Sequence, residues 1–174
     1  TRHILSPDAT RISTAKIYLG SPFYNDVQRE RVTKARKLLA QNPTVWQVHF
    51  PFDQNFVDPE EKNPEIGGVR SMTWRVATYQ NDLNGIVNAT CGVFLYDMDN
   101  IDDGSAFEIG FFRALHKPVI LVPFTEIENK EKEMNLMLAQ GVTTIIDGNN
   151  SFEKLASYDF NSCPADPVVG YKII

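Results

Sequence analysis

The 174-residue chain has only two cysteines, Cys91 and Cys163. That is too few for a disulfide scaffold and points to a reducing, cytoplasmic compartment. Cys91 lies in an apolar run and reads as a small buried hydrophobe. Long hydrophobic runs are missing too. The longest, Cys91 to Tyr96 and Pro118 to Phe124, fall far short of the ~20 residues of a membrane span. Positive charge is in deficit, with a net charge of −5, which argues against a nucleic-acid polymer as partner. His3, His49 and His116 are scattered without HExxH or Cys/His spacing, so no metal site is expected. Neither GxxxxGK[ST] nor GxGxxG occurs, so no phosphate-cradling loop of either kind is expected. Residues 1–15 lack periodicity and an apolar signal core and read as a flexible lead-in. That leaves 16–174, a length suited to one domain.

What is present is alternation. KIYLG (16–20) and VWQVHF (45–50) read as strands, as do CGVFLY (91–96), PVILVPF (118–124) and VTTII (142–146). Between them, helices are expected over about 27–41, 71–87, 106–116 and 129–139, with a last short one over 151–158. Asn25 and Asp26 can cap the first helix. Met72, Val76, Tyr79, Leu83 and Ile86 step by 4, 3, 4 and 3, which reads as a buried stripe. The basic run from Arg29 to Lys37, including Arg31, reads as a solvated helix face. Five strands with intervening helices imply an α/β fold, a flavodoxin-like doubly wound five-stranded parallel sheet. Ligands in such folds bind beyond the carboxyl ends of the strands. The loops 20–26, 51–68, 97–105 and 124–128 should therefore rim the site. A receiver domain would need an acidic pair after strand one, where Gly20-Ser21 stands. A flavodoxin would need a Ser/Thr-rich phosphate loop there, and GSPFYND is a poor version.

Two carboxylates stand out. In DDGSAFEIGFF (102–112), Ser105 and Glu108 have the spacing of a capping box. Alternatively, Glu108 lies at the ligand edge, where a helix N-terminus would keep it ionised as a nucleophile. Gly110 suggests close packing against that helix. Asp82 flanks the 71–87 stripe. It is either a solvated helix residue or a partly desolvated acid that works near neutral pH. Asp97, Asp99, Asp102 and Asp103 read as an acidic turn, since EF-hand spacing is absent. Tyr18 reads as a core-edge aromatic.

KIYLGSPFY (16–24), TYQNDLNGI (78–86), DDGSAFEIGF (102–111) and MNLMLAQGV (134–142) together resemble the nucleoside 2-deoxyribosyltransferases of lactobacilli, over about residues 16–174. The likeness is closer to the purine-preferring branch than to the broad one. It implies a cytoplasmic, cofactor-free enzyme that exchanges nucleobases on 2-deoxynucleosides with retention. It also implies a homohexamer, a trimer of dimers, with sites shared between subunits. By the same resemblance Glu108 is the nucleophile, Tyr18 holds its carboxylate, and Asp82 handles the base. Asp102 is a further active-site aspartate. Asn135 reaches a neighbour's sugar site with Met137 beside it, and the terminal carboxylate, here on Ile174, lies near the sugar. Asn55 stands where the broad branch has a base-contacting Gln.

The chemistry fits those roles. Departure of a base from C1′ develops oxocarbenium character, which a carboxylate on the opposite face can capture. The intermediate would be a deoxyribosyl ester on Glu108, with Asp82 protonating the leaving base. Gly20, at the ligand edge, and Phe23, Tyr24, Trp74 and Phe124 would wall the site. Two other readings share these residues: a deoxynucleoside hydrolase with water as acceptor, and a nucleoside-binding module without turnover.

Overall fold

The structure, a computed structural model, describes residues 13–61, 70–166 and 168–174. Most of the expected lead-in and part of the 51–68 loop lie outside the described residues. The chain runs β1 (Ala15–Gly20), α1 (Asp26–Gln41), β2 (Val45–His49), a 3₁₀ turn (Pro51–Gln54) and α2 (Met72–Asn88). It continues through β3 (Cys91–Asp97), α3 (Asp103–Ala114), β4 (Val119–Phe124), β5 (Glu133–Met134), α4 (Leu136–Gly141) and β6 (Thr144–Ile145). A second 3₁₀ turn (Phe152–Ala156) and β7 (Lys172–Ile173) complete it.

Five strands form a parallel sheet in the order β2-β1-β3-β4-β6. This is the doubly wound order expected from the sequence. It reverses at β1, which pairs with β2 on one side and β3 on the other. A crevice at the carboxyl ends of β1 and β3 follows from that reversal. Side chains alternate along each strand, so every central strand feeds two cores. On one face Ile17, Leu19, Val93, Leu95, Ile120 and Val122 meet Val32, Ala35, Leu38 and Leu39 of α1. On the other, Tyr18, Phe94, Tyr96 and Leu121 meet Ile86, Ile109, Phe112 and Leu138. Each fully buried side chain of this kind contributes about 1.5–3 kcal/mol. Cys91 and Cys163 are buried, free thiols.

Several expectations change. Of residues 129–139, only those from Leu136 onward are helical. Glu133–Met134 instead pairs with Lys172–Ile173 of the tail, a partnership 39 residues away in sequence that no local period reports. The stretch 151–158 contains a 3₁₀ turn, not an α-helix. Arg31 leaves the solvated face of α1. It is buried, with Nη1 3.5 Å from Asp97 and Nη2 2.7 Å from Glu126. The stripe on α2 is buried only at its end: Ile86 is fully covered, but Met72, Val76 and Tyr79 are 64%, 58% and 53% exposed. Only the last turns of α2 lie over the sheet; its first turns stand beyond the strand ends.

Candidate active site

A cavity of about 240 Å³ opens at the carboxyl ends of β1 and β3. Gly20, Tyr24, Asn55, Trp74, Asp82, Asp102 and Glu108 line it, so seven of the expected site residues come together. A larger cavity of about 380 Å³ on the other flank of α2 is lined by amide side chains, Lys16 and His49. Among the described residues no carboxylate lines it, whereas three line the smaller one.

Each wall has a local cause. β1 ends at Gly20, where an added Cβ would stand 2.3 Å from the Phe94 ring. Glycine there leaves room for the buried Phe94 ring at the cavity rim. α2 begins at Ser71, whose Oγ accepts from Trp74 N at 3.0 Å. Ser71 N donates to Glu61 Oε1 (2.7 Å), and Ser71 Oγ bonds Asp58 (2.6 Å). The Arg70 guanidinium forms a two-pronged pair with Glu61 at 2.8–3.1 Å and lies 4.0 Å over the Trp74 ring. Bidentate pairs of this kind are among the stronger polar contacts. Trp74 is thus held by charge behind it. The carboxyls of Asp58 and Glu61 are lowered from their ordinary range, the first foremost by the Ser71 hydroxyl, the second foremost by Arg70.

α3 begins three residues earlier than expected, and its cap is Asp102 rather than Ser105. Asp102 Oδ2 accepts from Ser105 N (3.0 Å) and from the Ser105 hydroxyl (2.7 Å). Both residues favour N-caps, and the carboxylate also meets the positive helix end. The capping-box reading of Glu108 therefore falls. Glu108 lies in the second turn, free to line the cavity. Gly110 makes no close approach: a Cβ there would meet nothing within 4 Å.

The electrostatics of Glu108 also differ from expectation. Burial pushes its carboxyl up to about 7; the Tyr18 hydroxyl pulls it down, while the charges of Asp82 and Asp102 add to the rise. Desolvation outweighs the helix end, whose effect fades within the first turn. Asp82 is also raised, by burial. The Tyr18 hydroxyl is buried and completes no hydrogen bond of good geometry among the described residues. The Glu108 carboxylate is nonetheless close enough that each perturbs the other, and burial foremost raises the phenol. Tyr18 is fixed by its ring, stacked on His49 (centroids 5.6 Å apart, 27° between planes) and packed near Phe94 and Phe112. Gly85 lets α2 settle over this pair, since a Cβ there would lie 2.6 Å from His49 Nε2.

Other expected residues lie elsewhere. Phe23 is not in the cavity wall. It packs behind it, against Phe50 and Phe52 at 5.2 Å from each, and Phe52 supplies the wall. Phe124 faces the α1 core, beside Phe152 at 4.9 Å. Asn135, Met137 and Ile174 gather on a separate exposed rim. There Asn135 Oδ1 accepts from Met137 N (2.9 Å), and Leu136 N donates to Ile174 O (2.8 Å). Sequence reasoning missed Phe52, Thr78 and the Glu61–Arg70 clamp. Thr78 had a usable signal, standing four residues from both Trp74 and Asp82 on one helix. Among the described residues no group of His, Cys, Asp and Glu could hold a metal ion.

A family model of nucleoside 2-deoxyribosyltransferases matches residues 17–137. The chain belongs to that family. The transferase is 44% identical over 162 residues to a nucleoside deoxyribosyltransferase of Limosilactobacillus fermentum, covering 93% of this chain and 96% of that one. It is 30% identical to a nucleoside deoxyribosyltransferase of Lactobacillus leichmannii, over 83% of this chain and 89% of the relative. A solved 2-deoxyribosyltransferase from Bacillus psychrosaccharolyticus superposes with a TM-score of 0.71 at 31% identity, covering 89% of this chain and all of the other. The transferase therefore moves a deoxyribosyl group. Its cavity offers three carboxylates, Asp82 on one helix, Glu108 on the facing one and Asp102 at the cap of that second helix, with an aromatic wall and the Tyr18 phenol beside Glu108.

Proposed function

We propose that this transferase exchanges nucleobases, preferably purines, on 2-deoxyribose with retention through a covalent ester on Glu108. The observation that carries the reading is the Glu108 carboxylate, lining the cavity with no ion-pair partner among the described residues, beside Tyr18 and across from Asp82. In the first half-reaction the C1′–N bond breaks as a Glu108 oxygen bonds C1′, and the departing base takes a proton from Asp82. The second half reverses these steps with a new base and inverts C1′ again, so configuration is retained. A raised Asp82 suits the proton donor; Glu108 must be ionised to attack. Tyr18 orients Glu108, and Asp102 anchors the helix that carries it. Trp74 and Asn55 meet the base. Purine preference rests on the likeness of DDGSAFEIGF to the purine-preferring branch.

The exposed α2 stripe and the rim of Asn135, Met137 and Ile174 support a shared site in a homohexamer. Each copy would lend its rim to a neighbour's sugar. The cytoplasm suits the two free thiols, and among the described residues no helix is long and apolar enough to cross a membrane.

The test is incubation with deoxyinosine and adenine, followed by separation of products. Deoxyadenosine is the expected product. Free deoxyribose alone would make the enzyme a hydrolase, and no turnover would leave a binding module. Thymidine as donor in a parallel reaction tests purine preference, with much slower exchange expected.

A further inference from the structure

Two buried side-chain polar atoms lack a hydrogen-bond partner among the described residues: the Tyr18 hydroxyl and the Thr78 hydroxyl. Glu108 accounts for the first. Nothing yet accounts for the second. A threonine inside a helix ordinarily returns its hydroxyl to the carbonyl four residues back. Thr78 does not, although Trp74 stands there. A buried hydroxyl left unpaired costs about 1–3 kcal/mol. Such a group calls for an explanation, and a water or ligand that completes it is one.

Its position says what that is. Trp74, Thr78 and Asp82 are spaced four apart and share one face of α2. All three line the cavity and also the apolar cleft beside it, which continues over Tyr79, Leu83 and Phe107. Thr78 thus stands between the aromatic surface and the carboxylate assigned to the base, while Glu108 is supplied by the opposite helix. We infer that Thr78 is a base-recognition residue whose hydroxyl bonds a polar edge of the nucleobase held between Trp74 and Asp82. A hydroxyl both donates and accepts. It can therefore serve a 6-oxo purine in one half-reaction and a 6-amino purine in the other, as exchange between the two demands.

This inference rests on the base-exchange reading, and its test separates the two. Thr78→Val keeps the shape and β-branching and removes only the hydroxyl, so the fold should be as stable as before or more so. Its KM for adenine and for hypoxanthine as acceptors should each rise about five- to tenfold, with kcat changed less, on the worth of one hydrogen bond. Thr78→Ser should restore most of the loss. Wild-type constants for both bases in Thr78→Val would overturn the inference while exchange itself stands. So would a higher KM for the deoxynucleoside donor alone. If the wild type exchanges nothing, calorimetric titration with deoxyinosine decides: weaker binding by Thr78→Val supports the inference, and equal binding, or none by the wild type, overturns it.

Discussion

Two groups of carboxylates stand at the same carboxyl edge of the sheet, and the protein treats them in opposite ways. Asp97 accepts from Gln28 Nε2 (2.9 Å) and from the N–H groups of Asp99 and Asn100, with Arg31 beside it. Asp99 is held by Lys130 (2.8 Å), the Thr125 hydroxyl (2.7 Å) and Glu126 N (2.7 Å). Burial works against both charges, yet these partners hold Asp97 below the ordinary range and Asp99 down to about 2. Asp82 and Glu108 are half-buried, with no ion-pair partner among the described residues, and both are raised. The first pair is finished within the chain; the second awaits a proton or a ligand. A carboxylate that burial destabilises, with its partner left out, is a candidate for chemistry.

The largest effect should come from deleting the unfinished carboxylate that bonds the sugar. Glu108→Ala is expected to lower exchange by about 10⁴-fold or more with the fold intact, as for removal of a nucleophile. Intact-protein mass spectrometry should show a deoxyribosyl adduct on the wild type given donor alone, and none on the variant. Retained exchange in Glu108→Ala would remove the basis for the contrast between the two pairs. Asp82→Asn should cost about 10²–10³-fold in rate, within the usual range for a lost general acid.

The finished pair should respond in the other coin. Asp97→Ala leaves buried Arg31 with Glu126 alone and should cost about 3 kcal/mol of stability. Urea unfolding would read this, and an unchanged midpoint would mean that the pair is not structural.

How much of this contrast could be read from the chain depends on distance along it. Asn25 as a cap, the five strands and the α1 core follow from periods of two and 3.6, which are local. Glu108, Asp82 and Tyr18 were legible as candidates, their joint roles only through the resemblance. The competition between Asp102 and Ser105 for the cap was not legible, because both satisfy the same local rule and geometry decides. Nor was the pairing of Glu133–Met134 with the tail, or the Glu61–Arg70 clamp, which depend on contacts across loops. The α2 stripe teaches the reverse lesson. Its period was read correctly and its burial was not, because a helix shows one apolar face whether its own sheet or another copy of the chain covers it. Sedimentation should therefore find an oligomer, and Val76→Glu with Tyr79→Glu should shift it toward smaller species and lower activity together.

Titration sharpens the comparison further. The Glu108 carboxyl moves from 4.5 to about 7 on folding. Between those values the folded state binds more protons than the unfolded state, so this group makes stability fall as pH rises through that window. Below 4.5 the group has no such effect. Above about 7 the penalty is complete, at most about 3 kcal/mol at 1.36 kcal/mol per pH unit, and less for a carboxylate that water partly reaches. Glu108→Gln should thus be more stable than wild type above pH 7 and equal to it below 4.5. In the wild type, kcat/KM should rise between pH 6 and 8 as Glu108 ionises. A stabilisation of Glu108→Gln that is the same at pH 4 and pH 8 would show that the carboxyl is not raised.

The smallest expected effect concerns the clamp behind the site. Arg70→Ala removes the cation 4.0 Å from the Trp74 ring and leaves Glu61 without its partner. A partly desolvated cation–π contact contributes about 1–2 kcal/mol. Trp74 should then sample more orientations, and the KM for the incoming base should rise about five- to tenfold with little change in the donor-only adduct rate. Equal losses in both would mean that the clamp supports the cavity as a whole. A loss confined to the base would place Trp74 with Thr78 on the base side, leaving the unfinished carboxylate Glu108 to the sugar.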